Sequence, residues 1–579
     1  MMKRLLGCVG EYKRDSFLAP LFVTGEVILE VIIPFLMSYL IDQGIQVGNM
    51  QKILQWGGIL VALTVLSLAF GALSGKHAAR ASAGFASNLR RKMFYNVQEF
   101  SFSNMDKFSA SSIVTRLTTD VSNIQNSYQM VIRTAVRCPV MLVSAFLMAR
   151  AVNSRLSLVF LAVIPILGIG LYLAMSSAHP IFERVFHTYD RLNRVVQENL
   201  RGVRVVKSYV RAGHEKEKFN TVSDSIYRDF SRAEKILAAN APLMQFCMYT
   251  CILTISWVGA HMIVGQQLST GQLMSMITYS TQILMSLMMV SMVFVMIVVS
   301  RASVERVCEV LAEESDLKNG EDPVYEVPNG SVEFDGVDFS YTGNPDKLAL
   351  RGVNFSAAPG QTVGIIGGTG SAKTTMVQLI ARLYDVTGGS VKVGGIDVRE
   401  YDIKTLRDEV AMVLQKNVLF SGSIAENLRW GKENATDEEI VHACKLAQAD
   451  EFIRSFPDGY QTHIEQDGAN VSGGQKQRLC IARALIKKPK ILILDDSTSA
   501  VDTRTDALIR KAFLEEIPHT TKFIIAQRIS SVSDADMIIV MDGGMVNAIG
   551  THEELLAQNA IYQEVYYSQQ KGEDDRATD

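Results

Sequence analysis

Apolar residues are unevenly spread along this chain: six long runs lie before residue 302, and only short ones come after it. The runs fall near Phe17–Ile41, Ile53–Leu73, Ala135–Val152, Leu156–Met175, Ala241–Val264 and Leu273–Val299. A helix needs about 20 mostly apolar residues to cross the hydrocarbon core of a bilayer, so each run predicts one span. The first is no secretory leader, because its apolar stretch continues too far and lacks a small-residue cleavage site. Ahead of it, Lys3, Arg4, Lys13 and Arg14 mark Met1–Ser16 as a helix lying in the membrane interface.

The polar connections are of two kinds. Those after the second and fourth runs are long, helical in period and basic. One carries Arg90, Arg91, Lys92 and Arg116, the other Arg201, Arg204, Lys207, Arg211, Lys216 and Lys218. Those after the first, third and fifth runs are short and carry few charges. Basic residues collect on the cytosolic side. Both termini and the long connections of this multi-pass chain are therefore expected in the cytosol, with helices continuing well past the cell membrane. Residues 1–312 make up this membrane domain. Glu313–Gly330, polar and containing Pro323 and Pro328, reads as a linker. From Ser331 the period changes to short β-rich segments, then βα alternation, then a helical stretch Asp437–Phe456. That is an α/β domain over residues 331–567. The remainder, 568–579, is charged and lacks large apolar side chains, so it is predicted to be disordered.

Composition sharpens the picture. A chain of 579 residues suggests three or four soluble domains by length alone. With 48% hydrophobic and 20% charged residues, and the apolar ones gathered early, one membrane domain plus one soluble domain fits better. A net charge of −3 gives no footprint for nucleic acid. The seven cysteines show neither zinc spacing nor a disulfide framework. Cys247 and Cys251, one helical turn apart in an apolar run, read as small hydrophobes. Cys308 and those after it are expected to be reduced in the cytosol.

The richest chemistry lies in Gly367-Gly368-Thr369-Gly370-Ser371-Ala372-Lys373-Thr374-Thr375. It succeeds the strand-like run Gln361–Ile366 and opens the helical pattern Met376–Ala381. Strand, glycine-rich turn and helix make a phosphate-binding loop. Backbone N–H groups and the helix dipole face the phosphates. Lys373 reaches the β- and γ-phosphates, and Thr374 offers its hydroxyl to Mg²⁺. Ala372 stands where the pattern has glycine. Being small and helix-favouring, it is expected to be tolerated.

The chain downstream of this loop resembles the nucleotide-binding domain of ABC transporters, and the resemblance to that family spans nearly all 579 residues. Its most specific signal is Val471-Ser472-Gly473-Gly474-Gln475, close to the family signature. Ile491–Asp495 looks like the Walker B strand, whose terminal carboxylate orients Mg²⁺. Tyr341 falls where the family stacks an aromatic on adenine. Gln415 matches the Q-loop glutamine that senses Mg²⁺ and the attacking water, and Ser499–Asp502 matches the D-loop. The resemblance implies six α-helical spans fused to a cytosolic α/β P-loop ATPase. Its cofactors would be ATP and Mg²⁺, and its metal site Thr374, Gln415 and Asp495. The stretches Ser111–Asn123 and Arg201–Arg211 resemble the coupling helices that dock on nucleotide domains in exporters.

Two departures fall on the hydrolytic machinery. Where the family has a glutamate general base after Walker B, this chain has Asp496, whose carboxylate falls back by roughly 1.5 Å. Errors of that scale can cost about a hundredfold in rate. In the switch segment, Ile524–Ser530, Gln527 replaces histidine; it can hydrogen-bond a γ-phosphate but carries no charge. A third change, Gln466 for a usual glutamate, falls in the segment Ile464–Gly468 that resembles the cross-talk loop. In this family two ATPase domains pack head to tail, each ATP lying between one chain's Walker motifs and the other's signature. An intact signature beside an altered catalytic pair therefore implies a heterodimer with a second half-transporter, with one competent and one degenerate site.

The cargo is less sharply marked. Met274, Met276, Met285, Met288, Met289, Met292 and Met296, with Tyr279 and Phe294, either line a cavity for varied hydrophobic compounds or pack against lipid and helices. Glu26 and Glu30, a helical turn apart in the first run, either attract a cationic cargo or hydrogen-bond within the bundle. The reading is ATP-driven export of hydrophobic or amphipathic compounds. Its alternatives are a lipid or peptide cargo, or an ATP-binding regulatory subunit without turnover.

Overall fold

The computed structural model describes residues 2–497 and 500–577. It divides into two units, Met1–Gln98 with Ala110–Glu313, and Glu99–Ser109 with Glu314–Asp579.

Among the described residues, six helices of the first unit are long and apolar enough to cross a membrane: Gly10–Ile45, Met50–Gln98, Ala110–Val152, Leu158–Arg201, Ala212–Val264 and Thr270–Ala312. Five of the six apolar runs lie wholly within them, and the fourth begins just ahead of its helix, at Leu156. At 1.5 Å per residue the 49-residue second helix is about 70 Å long, more than twice the hydrocarbon thickness, so these helices continue far beyond a bilayer. The interfacial segment is shorter than expected. It is α-helical at Met2–Gly7 and a single 3-10 turn at Gly10–Tyr12, and the first long α-helix starts at Lys13, ahead of its apolar run.

Helix-to-helix polar contacts fix this unit. Tyr279, fully buried, donates to the Val31 carbonyl at 2.8 Å. Ser275 donates to the carbonyl of Pro34, a proline inside the first long helix, at 2.5 Å. Arg137 spans both first-helix carboxylates, 2.5 Å from Glu26 and 2.5 Å from Glu30. Those carboxylates thus take the second of their two expected roles, bonding within the bundle. Asp120, 1% exposed, pairs with Arg306. Cys247 and Cys251 are buried in the apolar core, as small hydrophobes should be. The methionine-rich helix is divided. Met276 and Tyr279 are buried and Met296 is partly buried, whereas Met274, Met285, Met288, Met289, Met292 and Phe294 are exposed.

The second unit is built on a six-stranded sheet. Its strand order is Met545–Gly550, Met537–Asp542, Thr362–Gly367, Thr521–Ile525, Ile491–Asp495 and Val410–Val413. All pairings are parallel except the first. The inner strands Ile491–Asp495 and Thr521–Ile525 are buried throughout, as strands covered on both faces must be. A four-stranded antiparallel sheet begins at Val332–Phe339. Helices Asp437–Leu446 and Asp450–Ser455 precede the signature helix Gly473–Ile486.

Two expectations change here. Within residues 1–312, expected as a membrane domain with cytosolic coupling helices, Glu99–Ser109 groups with the second unit. Helix Phe102–Lys107 is started by a Ser101–Asn104 capping box, and Asn104 also donates to the Glu314 carbonyl at 3.2 Å. The docked tip thus precedes the expected Ser111–Asn123, which belongs to the first unit. The tail also differs: helix Ala560–Ala577 continues through most of the segment predicted to lack order. Gln569 anchors it to the Gln527 carbonyl at 2.8 Å.

Candidate nucleotide site

The strand Thr362–Gly367 feeds the glycine-rich turn, and helix Lys373–Ile380 leaves it. A side chain at Gly367 would meet the Met541 carbonyl at 2.3 Å, and Gly370 has φ +83°. Gly368 and Gly370 have open space beside their Cα atoms, room for a ligand to approach the backbone. Ala372, by contrast, has φ +69° and serves as the N-cap of the helix it opens. The expectation that it fits because it favours helix is corrected: the backbone here is left-handed, the conformation glycine serves, and Ala372 holds it under strain.

Lys373 folds over the turn. Its amine donates to the carbonyls of Gly367 at 2.9 Å and Gly368 at 2.8 Å, and to the Ser371 hydroxyl at 3.3 Å. Burial lowers its pKa, and the Asp495 and Asp496 carboxylates oppose that shift. Thr374 donates to Asp495 with 2.9 Å to each oxygen, so the expected hydroxyl and carboxylate ligands are adjacent. Asp495 is 2% exposed, and burial pushes its pKa up. A cation would offset that cost, and oxygen donors beside phosphates suit Mg²⁺. Tyr341 is half-exposed, with its hydroxyl 2.9 Å from that of Thr375 and its ring edge-on to Tyr384 at 5.2 Å.

The hydrolytic corner is organised around Asp496. Its backbone is left-handed, φ +50°. The Gln527 amide donates to its carboxylate at 2.7 Å, and the Gln415 side chain also hydrogen-bonds to it. Burial raises the Asp496 pKa, while the two amides favour the ionised form. The three residues expected to act on the attacking water are therefore together. The Gln415 amide is placed on Asp496, the neighbour of the expected metal ligand Asp495.

The signature forms a helix N-terminus. Ser472 caps Gly473–Ile486: its hydroxyl accepts the Gln475 N–H at 3.3 Å, and the Gln475 side chain accepts the Ser472 N–H at 2.9 Å. A side chain at Gly474 would lie 2.8 Å from the Ala500 carbonyl, so this glycine admits the D-loop backbone. Gln477 reinforces that approach by accepting the Ala500 N–H at 3.0 Å. Of the D-loop, Ser499 lies outside the described residues. Asp502 caps the next helix through the Thr505 N–H at 3.0 Å. Gln466 opens a short turn in which Asp467 has φ +56°.

One contact escapes the sequence reading. Tyr384 donates to Asp106 of the docked helix at 2.8 Å while its ring abuts Tyr341. Its signal is the capping pattern Ser101-x-x-Asn104, hidden in a connection whose basic charge is more conspicuous.

A bundle of bilayer-length helices joined to this phosphate loop defines a membrane-embedded P-loop ATPase. Residues 16–288 match the model of the ABC transporter transmembrane region, and residues 350–499 match that of the ABC transporter. The uncharacterized ABC transporter ATP-binding protein YfiB of Bacillus subtilis (strain 168) is 37% identical over 568 residues, 98% of each chain. A fatty acid ABC transporter ATP-binding/permease protein of Mycobacterium tuberculosis (strain CDC 1551 / Oshkosh) is 33% identical over 82% of this chain and 75% of its own length. A solved bacterial Atm1-family ABC exporter with ATP bound shares the fold, with a TM-score of 0.79, 23% identity and 98% of each chain covered. The chain belongs to the ABC transporter family, with one transmembrane region and one ATPase domain, the make-up of a half-transporter. Its ATPase domain implies ATP binding, with Mg²⁺ as the usual partner ion, and hydrolysis coupled to transport. As a half-transporter it implies dimerisation with another chain of the family.

Proposed function

We propose that this chain is one half of a heterodimeric exporter of hydrophobic or amphipathic compounds, and that its own ATP site binds nucleotide well but hydrolyses it slowly. The observation that carries this is the Asp496–Gln527 pair, 2.7 Å apart. A shortened carboxylate that accepts an uncharged amide is a weak base, and glutamine cannot shuttle a proton as imidazole does. The phosphate cradle of Gly367–Thr375 and the Thr374–Asp495 pair are meanwhile complete. The signature Ser472–Gln475 then serves the ATP of a partner chain that supplies the ordinary glutamate and histidine. Residues 1–312 form the membrane domain of this reading, residues 331–567 the ATPase domain, and both termini face the cytosol. Glu26 and Glu30 are already paired with Arg137, which favours amphipathic or neutral cargo over a cation.

The test is ATP hydrolysis by the purified complex with and without its partner. A pair that turns over when this chain alone is slow supports the reading. Full turnover by this chain alone overturns it, and no turnover in either case favours the regulatory subunit. A lipid cargo is a second reading, favoured by the 33% identity to the fatty acid transporter. Lipid-stimulated hydrolysis in nanodiscs separates the two.

A further inference from the structure

The switch segment that carries Gln527 is held from outside the ATPase motifs. Gln569, on the last helix, presents its side-chain amide to the switch backbone at two points. Its oxygen accepts the Ile529 N–H at 2.9 Å, and its nitrogen donates to the Gln527 carbonyl at 2.8 Å. Glutamine alone among side chains of this length offers both a donor and an acceptor. The bond pair mimics one rung of a β-ladder and fixes the backbone on both sides of Arg528. The Gln527 side chain, on that same backbone, donates to Asp496 at 2.7 Å. The helix is itself anchored: Tyr562 is fully buried, with its hydroxyl 2.7 Å from His552 Nδ1.

We propose that Gln569 is a positioning residue for the ATP site, and that the last helix is a brace that sets the switch loop against the γ-phosphate position. It acts through Gln527 and touches no nucleotide. The inference rests on the assignment of Gln527 to the γ-phosphate side of the site. It adds that the orientation of Gln527 is governed by a segment outside the core ATPase fold. Anything that draws the last helix away would loosen the switch without altering the phosphate loop.

The test uses the full-length chain in nanodiscs with Gln569→Leu and Gln569→Glu. Hydrogen exchange at the Ile529 amide should speed up by about tenfold or more in Gln569→Leu, where no acceptor remains, with the strand Thr521–Ile525 unchanged. In Gln569→Glu, which keeps an acceptor of the same reach, exchange there should stay near wild type. MgATP affinity of Gln569→Leu should fall by about three- to tenfold, with MgADP affinity unchanged, since only ATP presents a γ-phosphate to Gln527. Unchanged exchange in Gln569→Leu, or equally fast exchange in both variants, overturns the brace. Equal losses for ATP and ADP reduce Gln569 to general structural support and overturn its positioning role. Loss of ATP binding in a Lys373→Ala control tests the site assignment independently of the brace.

Discussion

The phosphate cradle and the hydrolytic corner lie within one site yet are built on different rules. In the cradle, nearly every position meets a geometric demand: Gly367 has no room for a side chain, Lys373 spans the turn, and Thr374 sits on Asp495. Ala372 is the exception. In the hydrolytic corner the geometry is also well formed, since Asp496 is held by Gln415 and Gln527, but the chemistry is muted. A site can thus be well organised and still be a poor catalyst, because order supplies binding while turnover needs a base of the right reach and pKa.

The largest expected effects fall on the cradle and the signature. Lys373→Ala removes the only cation of the turn, and labelled-ATP binding to this chain's own site should weaken by about a hundredfold or more. Wild-type affinity in that variant would refute the phosphate-loop assignment. Ser472→Glu places a carboxylate where, in the proposed pair, a partner's γ-phosphate approaches, and like charges in a desolvated interface repel by several kcal/mol. It also disrupts the capping box, at about 1 kcal/mol. Turnover by the purified pair should nearly vanish, although this chain's own catalytic residues are untouched.

Effects at the hydrolytic corner should be smaller. Asp496→Asn should leave most of the pair's ATPase activity, whereas the matching change at the partner's base should abolish most of it. The reverse order between Asp496→Asn and Ser472→Glu would place the competent site on this chain's own Walker motifs and invert the proposed asymmetry. Asp496→Glu sharpens the comparison from the other side. It restores the carboxylate's reach, but Gln527 remains, and aspartate tolerates the φ of +50° better than glutamate does. Single-site turnover should therefore rise by several-fold, well short of the roughly hundredfold that length alone could return.

The sequence yields these two regions unequally. The six spans and the phosphate loop are legible because bilayer thickness and phosphate geometry leave few alternatives. The roles of Glu26 and Glu30 are not, because their partner Arg137 lies more than a hundred residues away and periodicity says nothing about pairing. The docked helix Phe102–Lys107 is hidden for another reason. Its cue is a two-residue cap, while its contacts, Tyr384 and Glu314, are distant in sequence. Gln569 escapes notice because a polar tail suggests disorder by composition, and nothing local announces that one amide will reach back to the switch backbone.

The smallest expected effect tests the one misfit in the cradle. Ala372 adopts a left-handed conformation that costs an ordinary residue about 1–2 kcal/mol. Two terms offset what Ala372→Gly would relieve. Glycine loses more chain entropy on folding, about 0.5–1 kcal/mol. The lost methyl packs at the edge of the apolar core, and because Ala372 is only partly buried its loss costs less than the roughly 0.8 kcal/mol of a fully buried group. The balance lies within about 1 kcal/mol, so Tm should shift upward by no more than roughly 2–4 °C, and ATP affinity should change by less than about fivefold. Thermal unfolding and ATP titration of Ala372→Gly measure both. A gain in affinity of tenfold or more would mean that the methyl obstructs the phosphates. The cradle itself would then be impaired, and the contrast between a sound binding region and a muted catalytic one would fail at its stronger end.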